Sequence, residues 1–208
     1  YNETNDLVNN VTYGSKLNFF KYGIYTNASR KFFNNKLSFS AGIRADEDTY
    51  SKGSNFIDNL SPRISKSLSL SRDGKFKWNS SFGIYYKIPT YTSLGFKNIS
   101  GIFLNKTNKY TKSEHIVTGF DYSVGTASKI SIEGFLKKYS QYPISVLDGI
   151  SLANKGADFE VLGNEEIITN GKGETYGLEF LFQQKLTGNF YGIFSYTLFK
   201  SEFTDING

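Results

Sequence analysis

In residues 76 to 89, FKWNSSFGIYYKIP, alternate positions belong to different solvents. Steps of two from Phe76 give Phe76, Trp78, Ser80, Phe82, Ile84, Tyr86 and Ile88, and the interleaved set is Lys77, Asn79, Ser81, Gly83, Tyr85 and Lys87. A β-strand sends successive side chains to opposite faces, so this stretch reads as a strand with one oily and one wet side. The oily side must meet a protein core or a bilayer.

The same alternation predicts eight strands, over residues 16–30, 36–46, 60–70, 76–89, 114–124, 129–142, 174–186 and 190–200. Their connections alternate in length. Residues 34–35, 71–74, 125–128 and 187–189 are short and rich in Asn, Asp and Gly, whereas 47–59, 89–113 and 143–173 are long. Pro89 and Pro143 each fall just past a predicted strand, where a residue without an N–H ends a ladder. A soluble sandwich has no reason to keep such a rule, whereas a transmembrane barrel has tight turns on one side of the membrane and long loops on the other. The strands also exceed the usual soluble length of about 5 to 6 residues and suit a tilted span of about 9 to 11.

Charge placement favours lipid. A lysine facing mid-membrane costs about 2 to 4 kcal/mol, and the apolar registers of strands four, five and seven carry no charge through their middles. The expected lipid-facing residues are Phe76, Trp78, Phe82, Ile84, Tyr86, Phe120, Tyr122, Phe180, Phe182, Phe194 and Tyr196. Phe76 and Trp78 fall near a short turn and Tyr86 near a long loop, as two interfacial belts require. The opposite register holds Arg44, Arg63, Lys77, Lys87, Glu133, Lys137, Glu179 and Lys185, the expected lumen-lining set. Aromatic residues make up 17% of the chain, with nineteen Phe and fifteen Tyr, which suits strands, and many of the twenty Gly lie inside them, which suits a curved sheet. The fold class is therefore all-β: an antiparallel transmembrane β-barrel segment of about eight strands.

Other chemistries find little purchase. With no Cys there are no disulfides or thiolate sites, and no apolar run is long enough for a transmembrane helix. His115 is the sole histidine and lies on the wet register of strand five, with no nucleophile motif around it, so no enzyme is expected. The stretch Gly171-Lys172-Gly173-Glu174-Thr175 lacks the spacing of a phosphate loop and reads as a flexible loop end. Asp46, Asp48 and Asp58 bracket an oxygen-rich loop and are the one weak calcium candidate; no cofactor is implied. Lysines are scattered singly despite the net charge of +5, which argues against a nucleic-acid partner. In the long loops Tyr91, Phe96, Phe103, Tyr110, Ile150, Leu152 and Phe159 are candidate recognition residues.

The segments LSPRIS (60–65), FGIYYKIPTYTSL (82–94), SEHIVTGFDYSV (113–124), KISIEGFLKKYSQYPI (129–144) and GKGETYGLEFLFQQKLTGNFYGIFSYTLFKSEF (171–203) resemble the barrel of TonB-dependent outer-membrane receptors of the Bacteroidetes, SusC-like type. The resemblance covers residue 36 to the end. It implies a 22-stranded barrel in the bacterial outer membrane, closed by an N-terminal plug domain, that takes up a scarce nutrient such as a siderophore, glycan or peptide. It also implies as partners outer-membrane lipid, the TonB complex and a SusD-like surface lipoprotein. Residues 1–208 would then be a partial barrel domain, with plug and remaining strands absent, opening without a signal peptide and ending at 204–208 in a loop cut short. Two alternatives stay open: a receptor-like barrel serving as a structural or assembly subunit, and a small autonomous barrel in which strand one pairs with strand eight.

Overall fold

A computed structural model describes residues 14–53, 55–155 and 163–207. They form one eight-stranded antiparallel sheet in chain order. The strands are β1 (Lys21–Phe32), β2 (Leu37–Asp48), β3 (Ser61–Ser69), β4 (Phe76–Lys87), β5 (Thr111–Val124), β6 (Ser128–Ser145), β7 (Ile167–Thr187) and β8 (Phe190–Thr204). The helical content among the described residues is one four-residue helix, α1 (Tyr91–Leu94), and a single 3-10 turn at Asn105–Thr107. β1 and β8 are the two edges and do not pair with each other, so these strands do not close into a small barrel.

Eight strands were expected, and eight are present among the described residues. Five boundaries differ by three residues or more: β5 starts at Thr111 rather than at 114, β8 ends at Thr204 rather than at 200, and three others have a physical reason. β1 begins at Lys21 rather than at residue 16, because Leu17 and Phe19 leave the sheet to pack on the loops. β6 and β7 run on past their expected ends, so 143–145 and 167–173, read as loop, are paired strand. Pro143 therefore lies inside β6, tolerated at an irregularity where pairing passes from Ser140↔Lys172 to Tyr142↔Gly171 and Pro143↔Thr169 around Gln141, whose φ is 55°. The Gly171-Lys172-Gly173 stretch is thus β7 backbone and not a flexible loop end.

Register sorts the side chains onto two faces. One row reads Phe76, Tyr122, Ile130, Phe182 and Phe194, and a second reads Trp78, Phe120, Ile132, Phe180 and Tyr196. Ile84 and Phe82 share this apolar face with Ile64, Ile116, Leu136, Leu178 and Leu198. Among the described residues no second sheet or helical layer covers it. Phe194 is 58% exposed and Leu198 62%. The chain's accessible surface is 14640 Å², against about 9,700 Å² for a compact soluble domain of this size. Leu94, Tyr110 and Ile88 are buried together at the long-loop end, backed by Leu17, Phe19, Tyr50 and Tyr86, and they are the one hydrophobic cluster among the described residues. Among the described residues the sheet proper has no core of its own, and its oily face is left without a partner.

Candidate functional site

The three long connections are tied into one crown. Asn105, fully buried, donates from Nδ2 to the carbonyls of Ser93 (2.7 Å) and Glu165 (2.8 Å), and its Oδ1 accepts from the Ile167 N–H (3.0 Å). Asn108 Nδ2 adds a bond to the Ile167 carbonyl at 2.9 Å. The β4–β5 loop is thereby sewn to the start of β7. Towards β2, the Tyr110 hydroxyl donates to Asp48 Oδ2 at 2.6 Å and the Tyr50 hydroxyl to the Leu94 carbonyl at 2.7 Å. Burial, and then the Asp48 carboxylate it serves, push the Tyr110 phenol well above its ordinary pKa, so it remains a donor at any physiological pH. Within the β6–β7 connection, Lys155 Nζ bridges Asp148 and Glu165, each at 2.8 Å. That contact holds the Asp148 carboxyl below its usual range. A crown so cross-linked presents fixed surface rather than free loops.

The polar face carries a second ordered feature. Arg63 lies over the Tyr85 ring at 4.4 Å, Tyr85 meets His115 at 4.6 Å, and His115 meets the edge of Tyr139 at 6.5 Å. Tyr139 and Tyr142 then close on Phe203 at 5.2 and 4.7 Å. The row crosses from β3 to β8 near the crown. Glycines make room for it: a Cβ at Gly173 would stand 2.3 Å from the Phe203 ring, and one at Gly83 2.8 Å from the Tyr85 hydroxyl. Ser113 Oγ is 2.9 Å from His115 Nε2, a contact that fixes the imidazole in the wall. Beside the row, Arg44 grips Asp46 through two hydrogen bonds of 2.6 and 2.8 Å. A depression of about 480 Å³ lies between them, lined by Tyr25, Arg44, Arg63 and Tyr85 among others. Aromatic faces, guanidinium groups and a fixed imidazole equip this wall to bind.

The family model described as TonB dependent receptor-like, beta-barrel matches residues 1–208, the whole chain. The chain belongs to this family. As a TonB-dependent receptor barrel it is a protein of the bacterial outer membrane. Solved structures agree on the fold. The FrpB iron transporter from Neisseria meningitidis (F3-3 variant) superposes with a TM-score of 0.61 at 14% identity, covering 90% of this chain and 26% of that one. The siderophore receptor PirA from Pseudomonas aeruginosa gives 0.62 at 14%, covering 88% and 34%. The alcaligin outer-membrane receptor FauA from Bordetella pertussis gives 0.58 at 12%, covering 89% and 30%. The chain therefore spans about a third or less of the length of these receptors. No curated protein matches the sequence.

Within this receptor barrel the predicted site residues fall as follows. Phe76, Trp78, Phe82, Ile84, Tyr86, Phe120, Tyr122, Phe180, Phe182, Phe194 and Tyr196 share the apolar face by register. Arg44, Arg63, Lys77, Lys87, Glu133, Lys137 and Glu179 share the polar one, while Lys185 lies in the irregular stretch between Gln184 and Thr187. The calcium candidates do not assemble into a site. Asp46 is occupied by Arg44, Asp48 by Tyr110 and two backbone N–H groups, and Asp58 by the Asn55 N–H. Among the described residues no three acidic, His or Cys side chains are placed to hold a metal. Tyr110, expected among exposed recognition residues, is 1% exposed and belongs to the crown's core. Tyr91 is open at 60%; Phe96, Phe103, Ile150 and Leu152 are partly covered or at the margin; Phe159 lies outside the described residues. Sequence reading passed over Ile57, Ile99, Ile102 and Leu147, which project furthest from the loops. It also passed over the aromatic row, although Tyr85, Tyr139 and Phe203 are visible as rings on an otherwise wet register.

Glu133 and Glu179 stand directly opposite each other across β6 and β7. Like charges so placed repel by a few tenths of a kcal/mol to about 1 kcal/mol. Glu179→Gln is therefore expected to raise the thermal midpoint of the intact receptor slightly. A drop instead would mean that a cation from elsewhere in the receptor already sits between them.

Proposed function

We propose that this chain forms part of the wall of a receptor that takes up a scarce nutrient across the outer membrane, driven through the TonB complex and not by catalysis. The observation that carries the reading is a single sheet, oily on one face and wet on the other, with no described residue layered over the oily face, in a chain that matches the receptor barrel family along its whole length. The apolar face is the lipid-facing wall. The polar face, with Arg44, Arg63, Lys77, Lys87, Glu133, Lys137, Glu179 and Lys185, lines the lumen, where charge is solvated and the aromatic row offers contact area. Residues 1–208 are then a portion of a larger barrel, completed by strands joined to the free edges of β1 and β8.

Structural relatives named as an iron transporter, a siderophore receptor and a copper transporter support metal or metal-chelate uptake as the cargo class. The segments quoted from 60–65 to 171–203 support the finer SusC-like assignment, and the exposed Ile57, Ile99, Ile102 and Leu147 give a SusD-like surface lipoprotein apolar contacts on the loops. A strain lacking the intact receptor should lose energy-dependent uptake of one labelled compound from a panel of ferric chelates, copper, glycans and peptides. Restoring the receptor should restore uptake, and a proton uncoupler should abolish it. Uptake that is unchanged in the deletion strain for every compound would favour the structural-subunit alternative.

A further inference from the structure

Charged side chains on the apolar face divide into two kinds. At the long-loop end three cations pair with carboxylates, Lys112 with Glu114 at 2.6 Å, Lys138 with Glu174 at 3.7 Å and Lys200 with Glu202 at 2.6 Å, and Lys172 lies among them in the row Lys112↔Ser140↔Lys172. At the short-turn end Arg30 and Lys66 sit on the same face and flank Phe39, in the row Arg30↔Phe39↔Lys66↔Ser80. Neither has a carboxylate partner among the described residues. Instead the Arg30 guanidinium lies over Phe32 at 5.4 Å, and the Lys66 ammonium lies over the indole of Trp78 at 4.0 Å. Arg30 is two residues from the end of β1 and Lys66 three from the end of β3, so both reach the level where the chain turns. One row apart in a sheet is about 4.8 Å, so the two backbones stand about 10 Å apart. Two long cationic side chains can close on one anion across that gap.

A lipid-facing cation without a counter-charge is cheap only at the membrane interface, where its head can reach polar groups. The adjoining turns add Lys36, Arg72 and Lys75 against the single acid Asp73, so the rim is positive. We infer that Arg30 and Lys66, backed by Phe39 and Trp78, form a binding site for the phosphate of an anionic phospholipid in the leaflet that the short turns face. The rings seat the upper acyl chains and glycerol, while the two cations take the phosphate through charge-assisted hydrogen bonds. This rests on reading the apolar face as lipid-facing.

The intact receptor, purified in nonionic detergent, is offered phosphatidylglycerol or phosphatidylcholine, and bound lipid is counted by native mass spectrometry. Wild type should retain phosphatidylglycerol in preference. Lys66→Gln should lower that retention about five-fold and Arg30→Gln with Lys66→Gln further, while Lys66→Arg keeps it and phosphatidylcholine binding stays level. Heat-modifiable migration on gels shows that each variant is folded. Equal retention of the two lipids by wild type, or undiminished phosphatidylglycerol on the folded double variant, overturns the site. A wild type that holds neither lipid and fractionates away from the outer membrane overturns the lipid-facing reading beneath it as well.

Discussion

Asn105→Ala is expected to release the β4–β5 loop from β7 while leaving the strands in place. The side chain satisfies three backbone groups that are remote in sequence: two carbonyls, at Ser93 and Glu165, and the Ile167 N–H. Truncation leaves each without its partner, and a buried unsatisfied group costs about 1 to 3 kcal/mol. Repair by water entering the crown lowers the total to roughly 3 to 5 kcal/mol, enough to open a loop locally but not a barrel. Hydrogen exchange on the intact receptor should show lost protection at Ile167 and through 88–110, with Val117 in mid-β5 unchanged. Asn105→Asp separates donation from shape. It keeps an acceptor for Ile167 but sets a carboxylate against two carbonyl oxygens, so it should open the loop at least as far. Gly53→Ala should do the same from the other side, because its Cβ would stand 2.2 Å from the Thr107 carbonyl oxygen and 2.4 Å from that of Asn108. Protection at Ile167 that survives all three changes would mean that the crown is held by something other than these contacts.

The strands were legible because an uncovered apolar sheet face follows one sharp rule, period-two alternation with little charge. That rule stops where the apolar face ends. In β6 and β7 the ladder continues beyond it: Lys138, Ser140, Lys172 and Glu174 share the face of Leu136 and Tyr176 but carry no hydrophobic signal. Turn-like residues there, such as Pro143, Asn170 and Gly171, then outweighed a pairing that only tertiary hydrogen bonding reveals. The crown was opaque for a related reason. Asn105 in a loop looks solvated, and its burial depends on backbone groups up to 62 residues away. The aromatic row on the wet face was hidden differently, since Tyr85, His115 and Tyr139 each look incidental until the register sets them side by side.

A lysine on the apolar face supplies the sharpest division between lipid and water. Ile132 is 51% exposed and lies between Phe120 and Phe180 in the apolar row. On a water-facing surface, exposed Ile→Lys would change stability by no more than about 0.5 kcal/mol. At the middle of a bilayer it should cost about 2 to 4 kcal/mol. Urea unfolding of the intact receptor in lipid vesicles is therefore expected to show Ile132→Lys destabilised by that amount, with Ser65→Lys on the polar face near wild type. Depth gives a second dimension. Lys138 already occupies this face six residues along β6, about 20 Å further by strand rise, and is paired with Glu174. Lysine at Gly134 and then at Leu136 should accordingly cost less and less as the substitution approaches that native charge. A uniform small cost at 132, 134 and 136 would put water against those side chains and remove the bilayer from the account of this fold.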